Sequence, residues 1–453
     1  MMSIANISRV YFLGIGGIGM SALARFFLRR GAFVSGYDRT PTELTNQLEA
    51  ERMVIHFEEN LDLIDRTADL VIYTPAIPKS HIEFVWYNEN KYPVFKRSDV
   101  LNWITQEFFT ITVAGTHGKT TISTMIAYLL RETGYGCNAF LGGISSNYES
   151  NYWSSPNDVA VVEADEYDRS FLKLFPDIAV LTAIDPDHLD IYGTPEAMEE
   201  AFIQYTRNIK EGGRLLLKHG LHRHADLATT ATTTYSFGNM MADICAVNVR
   251  PGNGGYMFDV QAKEWEIKDV ALNVGGLHNV ENAVAAIAVT QMLGIDPHEV
   301  VKAFAGFRGV KRRFEYILKR DNLVFIDDYA HHPAELQALI SGARSLFPEL
   351  KCTICFQPHL FTRTRDLADG FAHSLDLADE IWLLDIYPAR ELPIEGVTTA
   401  MIMERMVNKN VKIISKQDFL KNLEENNLQL LITAGAGDID KLVAPAKEIL
   451  MRN

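Results

Sequence analysis

Cysteine is scarce in this chain, and no apolar run is long enough to cross a membrane. Only four of the 453 residues are cysteine, and only Cys352 and Cys355 are closely spaced. No second C-x-x-C pair exists to complete a zinc site, so we interpret these two as small apolar residues of a buried strand. The N-terminal stretch lacks the basic leader and apolar core of a secretory signal, and a run of about 18 apolar residues is absent. We therefore predict a cytoplasmic protein without a membrane partner.

Positive charge is also in short supply. The chain has 43 lysine and arginine residues against 58 aspartate and glutamate residues, so its formal net charge is −15. Nucleic-acid-binding proteins usually carry a basic face, and this balance argues against a nucleic-acid partner. A local basic pocket for an anionic ligand is compatible with it. The composition leaves the oligomeric state open.

Short apolar runs alternate with helical patterns along the whole chain, which is typical of doubly wound α/β domains. The chain is too long for one core, because about 150 residues per domain predicts two to four domains. The pattern breaks near residue 106 and again in a charged stretch at residues 306–316. We predict a Rossmann-like N-terminal domain, a central P-loop ATPase-like domain and a Rossmann-like C-terminal domain, at residues 1–106, 107–310 and 311–453.

A glycine loop follows the first apolar run, Val10–Leu13. The sequence FLGIGGIG carries Gly14, Gly16 and Gly19 in a G-x-G-x-x-G pattern. Such a loop brings backbone N–H groups at a helix N-terminus to a diphosphate. Asp38 follows Gly19 by about twenty residues and completes a dinucleotide fingerprint. An NAD-dependent dehydrogenase is therefore one alternative.

A second glycine loop, GTHGKTT, follows an apolar strand at residues 108–115 and opens a predicted helix at residues 119–132. Lys119 would reach the β- and γ-phosphates of a nucleoside triphosphate, and the Thr120 hydroxyl would hold Mg²⁺. A dehydrogenase leaves this loop unexplained. The predicted ATP-binding residues of the loop are Gly115, Thr116, His117, Gly118, Lys119, Thr120 and Thr121.

Two acidic segments, EADEYD and DPDHLD, stand where later strands of the central domain should end. Ligands gather at the carboxyl ends of strands in open α/β sheets, and one carboxylate there usually joins a P-loop in holding Mg²⁺. Glu163 and His188 are the functional candidates. For Asp165, Glu166 and Asp190, a solvated loop or helix cap is an equal alternative.

The segments GTHGKTT, EADE, DHLD, GLHNVENA, GVKRRFE, DDYAHHPAE and FQPHLFTRTRD occur in this order. This set resembles the Mur ligase family of bacterial cell-wall (peptidoglycan) synthesis, and most of all its alanine-adding branch. The resemblance implies an ATP- and Mg²⁺-dependent ligase that joins L-alanine to the carboxylate of UDP-N-acetylmuramate through an acyl phosphate. A ligase that recycles cell-wall tripeptide onto the same sugar is the alternative. Some members have a carbamylated lysine shortly after the D-H motif, whereas here no lysine lies between that motif and Lys210, as expected for the alanine-adding branch.

The same resemblance implies roles for individual residues. The catalytic residues would be Lys119, Glu163, His188 and His332. The metal ligands would be Thr120, Glu163 and His188. Further ATP contacts would come from His278, Asn279, Asn282, Arg312 and Asp328. The UDP-sugar would contact Gly14, Gly16, Gly17, Ile18, Gly19 and Asp38. L-alanine would contact His359, Arg363 and Arg365.

Overall fold

A computed structural model of the chain describes residues 4–186, 189–389 and 391–452. Its strands form three sheets joined by helices, so the predicted α/β class is confirmed. The chain divides into two compact units. The first contains Met1–Val247, Val260–Ile267 and Glu281–Phe304, and the second contains Asn248–Asp259, Lys268–Val280 and Ala305–Asn453. The domain boundaries at 106/107 and 310/311 stay predictions.

The first sheet has five parallel strands in the order β3-β2-β1-β4-β5. The strands are β1 (Arg9–Leu13), β2 (Phe33–Tyr37), β3 (Val54–His56), β4 (Leu70–Tyr73) and β5 (Val94–Lys96). The helices are α1 (Ile18–Arg29), α2 (Glu43–Ala50), α3 (Ile82–Glu89) and α4 (Arg97–Glu107). Because the strand order reverses beside β1, ligands are expected at the carboxyl end of β1. The first glycine loop leaves β1 at this point.

The second sheet has ten strands in the order β15-β14-β13-β12-β11-β10-β6-β9-β7-β8. The strands are β6 (Phe109–Ala114), β7 (Asn138–Ser145), β8 (Ser150–Trp153), β9 (Val159–Glu163), β10 (Ile178–Leu181), β11 (Arg214–Lys218), β12 (Thr232–Phe237), β13 (Ile244–Gly252), β14 (Gly255–Ala262) and β15 (Glu266–Leu272). The helices are α5 (Lys119–Glu132), α6 (Leu189–Tyr192), α7 (Pro195–Thr206), α8 (His224–Leu227), α9 (Leu277–Met292) and α10 (Pro297–Phe304). Residues 110–114 of β6 are fully buried between β9 and β10, so the second glycine loop starts from the centre of the sheet.

The third sheet has six strands in the order β16-β17-β21-β18-β19-β20, and only the β16–β17 pair is antiparallel. The strands are β16 (Glu315–Arg320), β17 (Leu323–Asp328), β18 (Cys352–Phe356), β19 (Glu380–Leu383), β20 (Val411–Ile413) and β21 (Leu430–Ala434). The helices are α11 (Pro333–Leu346), α12 (Phe361–Asp366), α13 (Ala368–Leu375), α14 (Ala400–Arg405), α15 (Lys416–Glu425) and α16 (Val443–Arg452). Three short 3-10 helices complete the chain at Ile4–Asn6, Ser170–Lys173 and Asp438–Leu442.

The two closely spaced cysteines have the environment that the sequence predicts. Cys352 and Cys355 are fully buried in β18, as predicted, and burial raises the pKa of the Cys352 thiol to about 12. They are therefore protonated apolar side chains. Within the described ranges, no helix combines the length and apolarity needed to span a bilayer.

Candidate active site

The second glycine loop forms a phosphate-binding turn between β6 and α5. Gly115 and Gly118 have φ angles of 125° and 82°, and a Cβ atom at Gly115 would collide with Thr182. Helix α5 begins at Lys119 and ends at Glu132, as predicted. The backbone N–H groups of His117, Gly118 and Lys119 have no acceptor among the described residues. These donors at a helix N-terminus are suited to bind phosphate.

The Lys119 ammonium is held by a buried carboxylate. Its Nζ atom donates to Glu166 Oε1 at 2.8 Å and to the Gly115 carbonyl at 2.7 Å. Burial raises the pKa of Glu166, while the charge of Lys119 opposes that shift. Glu166 is therefore a partner of the loop lysine, a role that the sequence left open.

Thr120 and Glu163 meet at the start of α5, where the sequence predicts a magnesium site. The Thr120 hydroxyl donates to Glu163 Oε1 at 2.9 Å, and the Gly142 N–H donates to Glu163 Oε2 at 3.0 Å. A Cβ atom at Gly142 would collide with the Glu163 carboxylate, so a side chain at this position would displace the carboxylate from Thr120. A hydroxyl and a carboxylate are oxygen ligands that suit Mg²⁺. The third predicted ligand, His188, and the Asp190 side chain lie outside the described residues.

Most N–H groups of the first glycine loop donate hydrogen bonds to other residues of the protein. Gly14 and Ile15 both donate to the Tyr37 carbonyl, at 2.8 and 3.0 Å, and Gly16 donates to Asp38 Oδ2 at 2.7 Å. Gly17 donates to the Gly14 carbonyl. Asp38 therefore holds the loop in shape, and Gly14 and Gly16 contribute its conformation.

The donors that face outward are the next two residues, Ile18 and Gly19. Their N–H groups begin α1 and have no acceptor in the part of the chain that the structure describes. Arg97, the first residue of α4, lies close by: its Nη1 atom is 2.5 Å from the point a Cβ would occupy at Gly19. A side chain at Gly19 would thus displace the guanidinium. Together these groups form a seat for an anion.

This anion seat opens into a cavity of about 280 Å³, which we call the loop cavity. On one side it is lined by residues that follow strands of the first sheet, Gly17, Ile18, Gly19 and Arg97. On the other side it is lined by Glu163 and Asp165, at and after the end of β9. The cavity therefore connects an anion seat with the carboxylate that contacts Thr120 of the phosphate-binding turn.

Helix α9 carries three of the residues that the sequence predicts as ATP contacts. Asn282 lies beside the phosphate-binding turn, with its Oδ1 atom 2.9 Å from the position of a Cβ at Gly118. The Asn279 side chain donates to the Gly275 carbonyl at 2.7 Å, which caps the chain entering the helix. The His278 ring packs over Gly276. Asn282 is thus placed at the turn within the first unit, and the ATP contacts of His278 and Asn279 stay predictions.

The predicted linker residue Arg312 is held within the second unit. It has a φ angle of 62°, and its Nη2 atom donates to the Gly435 carbonyl at 2.5 Å. Its Nε atom lies 3.5 Å from Asp327 Oδ2. Asp328 accepts the N–H groups of Phe314 and Ala330 at 2.6 and 2.7 Å, so it fixes the chain on both sides of β17.

Burial raises the pKa of Asp327 to about 7, despite the Thr433 hydroxyl and Arg312, and that of Asp328 to about 6. The folded state thus holds these protons more tightly than the unfolded chain, whose aspartates titrate near about 3.9. The two carboxyl groups stabilise the fold fully below their pKa in the unfolded chain. This stabilisation is lost as the pH rises through their pKa in the folded protein.

Replacing Asp327 with asparagine is therefore expected to reduce the loss of thermal stability between about pH 5.5 and about pH 8, because the variant has one fewer raised carboxyl pKa. Melting temperatures at the two pH values measure this difference. Asp321→Asn, at an exposed position next to β17, is the control and should behave as the native protein. An unchanged difference in the Asp327 variant would contradict the assignment.

Two of the predicted amino-acid contacts, His359 and Arg363, lie near His331 and Tyr387 in the second unit. The His359 ring stacks on Tyr387 with a centroid distance of 5.9 Å and lies 6.3 Å from the His331 ring. Burial lowers the pKa of His331, and the charge of Arg363 adds to this shift. The buried Arg363 Nη1 has no hydrogen-bond partner among the described residues. A guanidinium with an unused donor suits a carboxylate ligand.

Two other predicted residues have local partners instead. His332 is exposed and caps α11, where its Nδ1 atom accepts the Ala334 N–H at 3.3 Å. Arg365 pairs with Asp366 at 2.7 Å, and both side chains are about half exposed. Their roles with substrate stay predictions.

Three family models match successive parts of the chain. They are the Mur ligase family catalytic domain at residues 9–109, the Mur ligase middle domain at residues 113–290 and the Mur ligase glutamate ligase domain at residues 312–439. The chain is 45% identical to a UDP-N-acetylmuramate–L-alanine ligase of Flavobacterium johnsoniae, over 100% of both chains. It is 47% identical to the enzyme of that name from Phocaeicola vulgatus, over 98% of both.

The chain belongs to the Mur ligase family. The crystal structure of a UDP-N-acetylmuramate–alanine ligase from Thermotoga maritima matches it with a TM-score of 0.80 and 29% identity, covering 98% of both chains. A murein peptide ligase from Psychrobacter arcticus shares the fold, with a TM-score of 0.67 and 22% identity, again over 98% of both chains. The predicted family and the enzyme class, a ligase, are thereby confirmed.

Two features of this Mur ligase bear on the sequence analysis. Lys210, which we did not assign to the metal site, donates to the Phe108 carbonyl at 2.7 Å and to Asp177 at 2.8 Å, so its role is structural. Arg97 was missed. The signal that could have revealed it is its position directly after β5, at the carboxyl end of a strand in a doubly wound sheet.

Proposed function

We propose that this Mur ligase uses ATP to join L-alanine to the carboxylate of UDP-N-acetylmuramate. The loop cavity is the observation that carries the proposal, because one cavity is lined both by the anion seat and by Glu163. A diphosphate on the seat would direct the sugar towards the phosphate-binding turn. The names and full-length similarity of the relatives support the same substrates.

The residues account for the chemistry of such a reaction. A carboxylate is a poor electrophile until one of its oxygens becomes a leaving group. It therefore first attacks the γ-phosphorus of ATP, the bond to the β,γ-bridging oxygen breaks, ADP leaves and an acyl phosphate forms. Two anions must therefore meet, and Lys119 and the free N–H groups of the turn would stabilise the charge that develops. Thr120 and Glu163 would hold Mg²⁺, which when bound neutralises phosphate charge.

The second step requires the amine of L-alanine to attack the acyl carbonyl, after which phosphate leaves and the amide remains. Arg363 would bind the alanine carboxylate through two parallel hydrogen bonds, since the guanidinium plane matches a carboxylate. His359, stacked on Tyr387, would form one wall of this site. The L-alanine site, the Mg²⁺ requirement and a cytoplasmic location are parts of the proposal that rest on sequence and chemistry.

Arg97→Ala is expected to raise the KM for UDP-N-acetylmuramate by about 10- to 100-fold and to leave the KM for ATP nearly unchanged. The reason is the loss of a charged hydrogen bond to the diphosphate, worth about 1.5–3 kcal/mol. Arg97→Lys should recover part of the loss, because lysine supplies the charge without the planar fork. Steady-state kinetics with each substrate varied in turn measures both values.

Arg66→Ala is the matched control, since Arg66 is exposed and has only local contacts: a long ion pair with Asp62 at 3.9 Å, a hydrogen bond to the Leu61 carbonyl at 3.3 Å and the Trp86 ring. It should change neither KM. An Arg97 variant with an unchanged KM for the sugar would contradict the anion seat.

Phosphate release from ATP tests the reaction as a whole. The protein is incubated with ATP, Mg²⁺ and UDP-N-acetylmuramate, and release is compared for L-alanine, glycine, L-serine and cell-wall tripeptide as acceptors. We expect release with L-alanine and formation of the corresponding amide. Absence of release with L-alanine would overturn the proposal, and release with the tripeptide alone would favour the recycling ligase.

A further inference from the structure

A second cavity of about 700 Å³ lies away from the residues discussed so far. One side of it is formed by Arg25 and Arg29 of α1 and by Glu51 at the end of α2. The other side is formed by Arg131 at the end of α5, by Trp153 of β8 and by Tyr148 just before β8. We call it the arginine cavity. Its volume is in the range of small-molecule sites, about 300–1,000 Å³.

Arg25 is a fixed part of the cavity floor. Its side chain is 4% exposed and bonds Glu51 through two nitrogens, with a closest distance of 2.7 Å. Its Nη1 atom also donates to Asn151 Oδ1 at 2.5 Å. Glu51 compensates the charge of Arg25, and the N–H donors of Arg25 are already used. Arg25 therefore positions other residues, and the ligand would bind to neighbouring side chains.

The ligand-binding groups are Arg29 and Arg131. Neither has a carboxylate partner among the residues that the structure describes. The Arg131 guanidinium lies 4.1 Å from the centroid of the Tyr148 ring, and the Tyr148 hydroxyl donates to Glu132. This stacking orients the guanidinium in advance and leaves its edge N–H groups for a ligand.

The balance of charge favours an anion in this cavity. Three guanidinium groups line it against the carboxylates of Glu51 and Glu149, although the chain as a whole has a net charge of −15. A local excess of positive charge in a concave site raises the concentration of anions there. Guanidinium groups bind phosphate and carboxylate oxygens alike.

Asn151 connects this cavity with the loop cavity. It is fully buried, and its Nδ2 atom donates to the Ile18 carbonyl at 2.5 Å and to the Ser21 hydroxyl at 2.9 Å. Its Oδ1 atom accepts from Arg25. One side chain thus joins the floor of the arginine cavity to the first turn of α1, whose N–H groups form the anion seat.

We propose that the arginine cavity is a second ligand site, which binds a small organic or inorganic oxyanion with at least two negative charges, and that Asn151 transmits its occupancy to the first turn of α1. The inference goes beyond the proposed ligase function and does not depend on it. The shared chemistry is a cluster of anionic oxygens, from a phosphate or from a carboxylate.

Isothermal titration calorimetry with pyrophosphate and with citrate tests the site. Saturating ADP and UDP are added first, to occupy the phosphate-binding turn and the anion seat. We expect at least one probe to bind the native protein, and the double variant Arg29→Ala/Arg131→Ala to lose at least about tenfold in affinity. Pyrophosphate binding alone would identify a phosphate ligand, and citrate binding alone a carboxylate ligand.

Arg30→Ala is the matched control, because Arg30 also lies at the end of α1 but packs over Phe26, with its guanidinium 5.3 Å from the ring centroid. It should retain binding. Since Arg29 and Arg131 are exposed, the double variant should keep the native melting temperature. Binding of neither probe, or equal binding by the native and double-variant proteins, would overturn the site.

Hydrogen exchange tests the connection in the same mixture, with ADP and UDP already bound. We expect the bound probe to slow amide exchange in residues 17–22 of the native protein by at least about threefold. Asn151→Asp has nearly the same shape and still accepts from Arg25, but it cannot donate to Ile18. It should bind the probe without slowing exchange in this turn. No slowing in the native protein, or equal slowing in the variant, would overturn the connection.

Discussion

Lys119→Met is expected to lower kcat by about 10³-fold and to leave the affinity for UDP-N-acetylmuramate unchanged. The ammonium lies at the phosphate-binding turn, 2.7 Å from the Gly115 carbonyl, and it would stabilise the charge that spreads over the transferred phosphoryl group. Methionine keeps the length and apolar stem of the side chain without the charge. Single-turnover rates of phosphate release measure the chemical step, and direct titration measures sugar binding.

Lys210→Met separates this effect from a general loss of lysine. Lys210 also pairs with an acidic residue, Asp177, but it lies at a structural contact and donates to the Phe108 carbonyl. Its replacement should lower the melting temperature and leave kcat close to the native value. If both variants lost activity to the same extent and in step with stability, the assignment of Lys119 to the chemistry would fail.

Glu163→Gln is expected to lower kcat by about 100-fold and to raise the Mg²⁺ concentration needed for half-maximal rate. Glutamine keeps the acceptor for the Thr120 hydroxyl and nearly the same volume, while the negative charge that would attract the metal is removed. Initial rates over a series of Mg²⁺ concentrations give both values, and saturating Mg²⁺ should restore only part of the rate.

Asp168→Asn is the matched control from the same acidic segment. Its carboxylate accepts the Ser170 N–H at 3.0 Å, which is a local turn contact. We expect the Mg²⁺ dependence of this variant to be that of the native protein. The metal role of Glu163 would be refuted by a Glu163 variant with native Mg²⁺ dependence, whatever its kcat.

The order of strands and glycines in the sequence was enough to locate both loops, the start of α5 and the pairing of Thr120 with Glu163. These features are local or depend on strands ending at one edge of a sheet, which the strand–helix alternation predicts. The carboxyl end of β9 fixes Glu163, and the buried strand β6 fixes the turn before Lys119.

Contacts that cross a cavity or pair distant side chains could not be predicted in this way. The choice of Glu166, not Asp165, as the partner of Lys119 depends on which side chain of the EADE segment points into the protein. The approach of Arg97 to Gly19 depends on how α4 follows β5. The catalytic role of His332, assigned from its motif, stays a prediction, and the capping of α11 by its ring depends on the hydrogen bond to Ala334.

The contact between Lys119 and Glu166 pairs the lysine charge within the protein before any nucleotide binds. The Glu166 carboxylate competes with dissolved anions for the Lys119 ammonium. Because Glu166 belongs to the same chain, its effective concentration at the lysine is far above that of a dissolved ion. A solute with little charge gains too little to replace it, whereas a triphosphate also gains the N–H groups of the turn. The pair therefore acts as an affinity threshold that separates nucleotides from weaker anions of the cell.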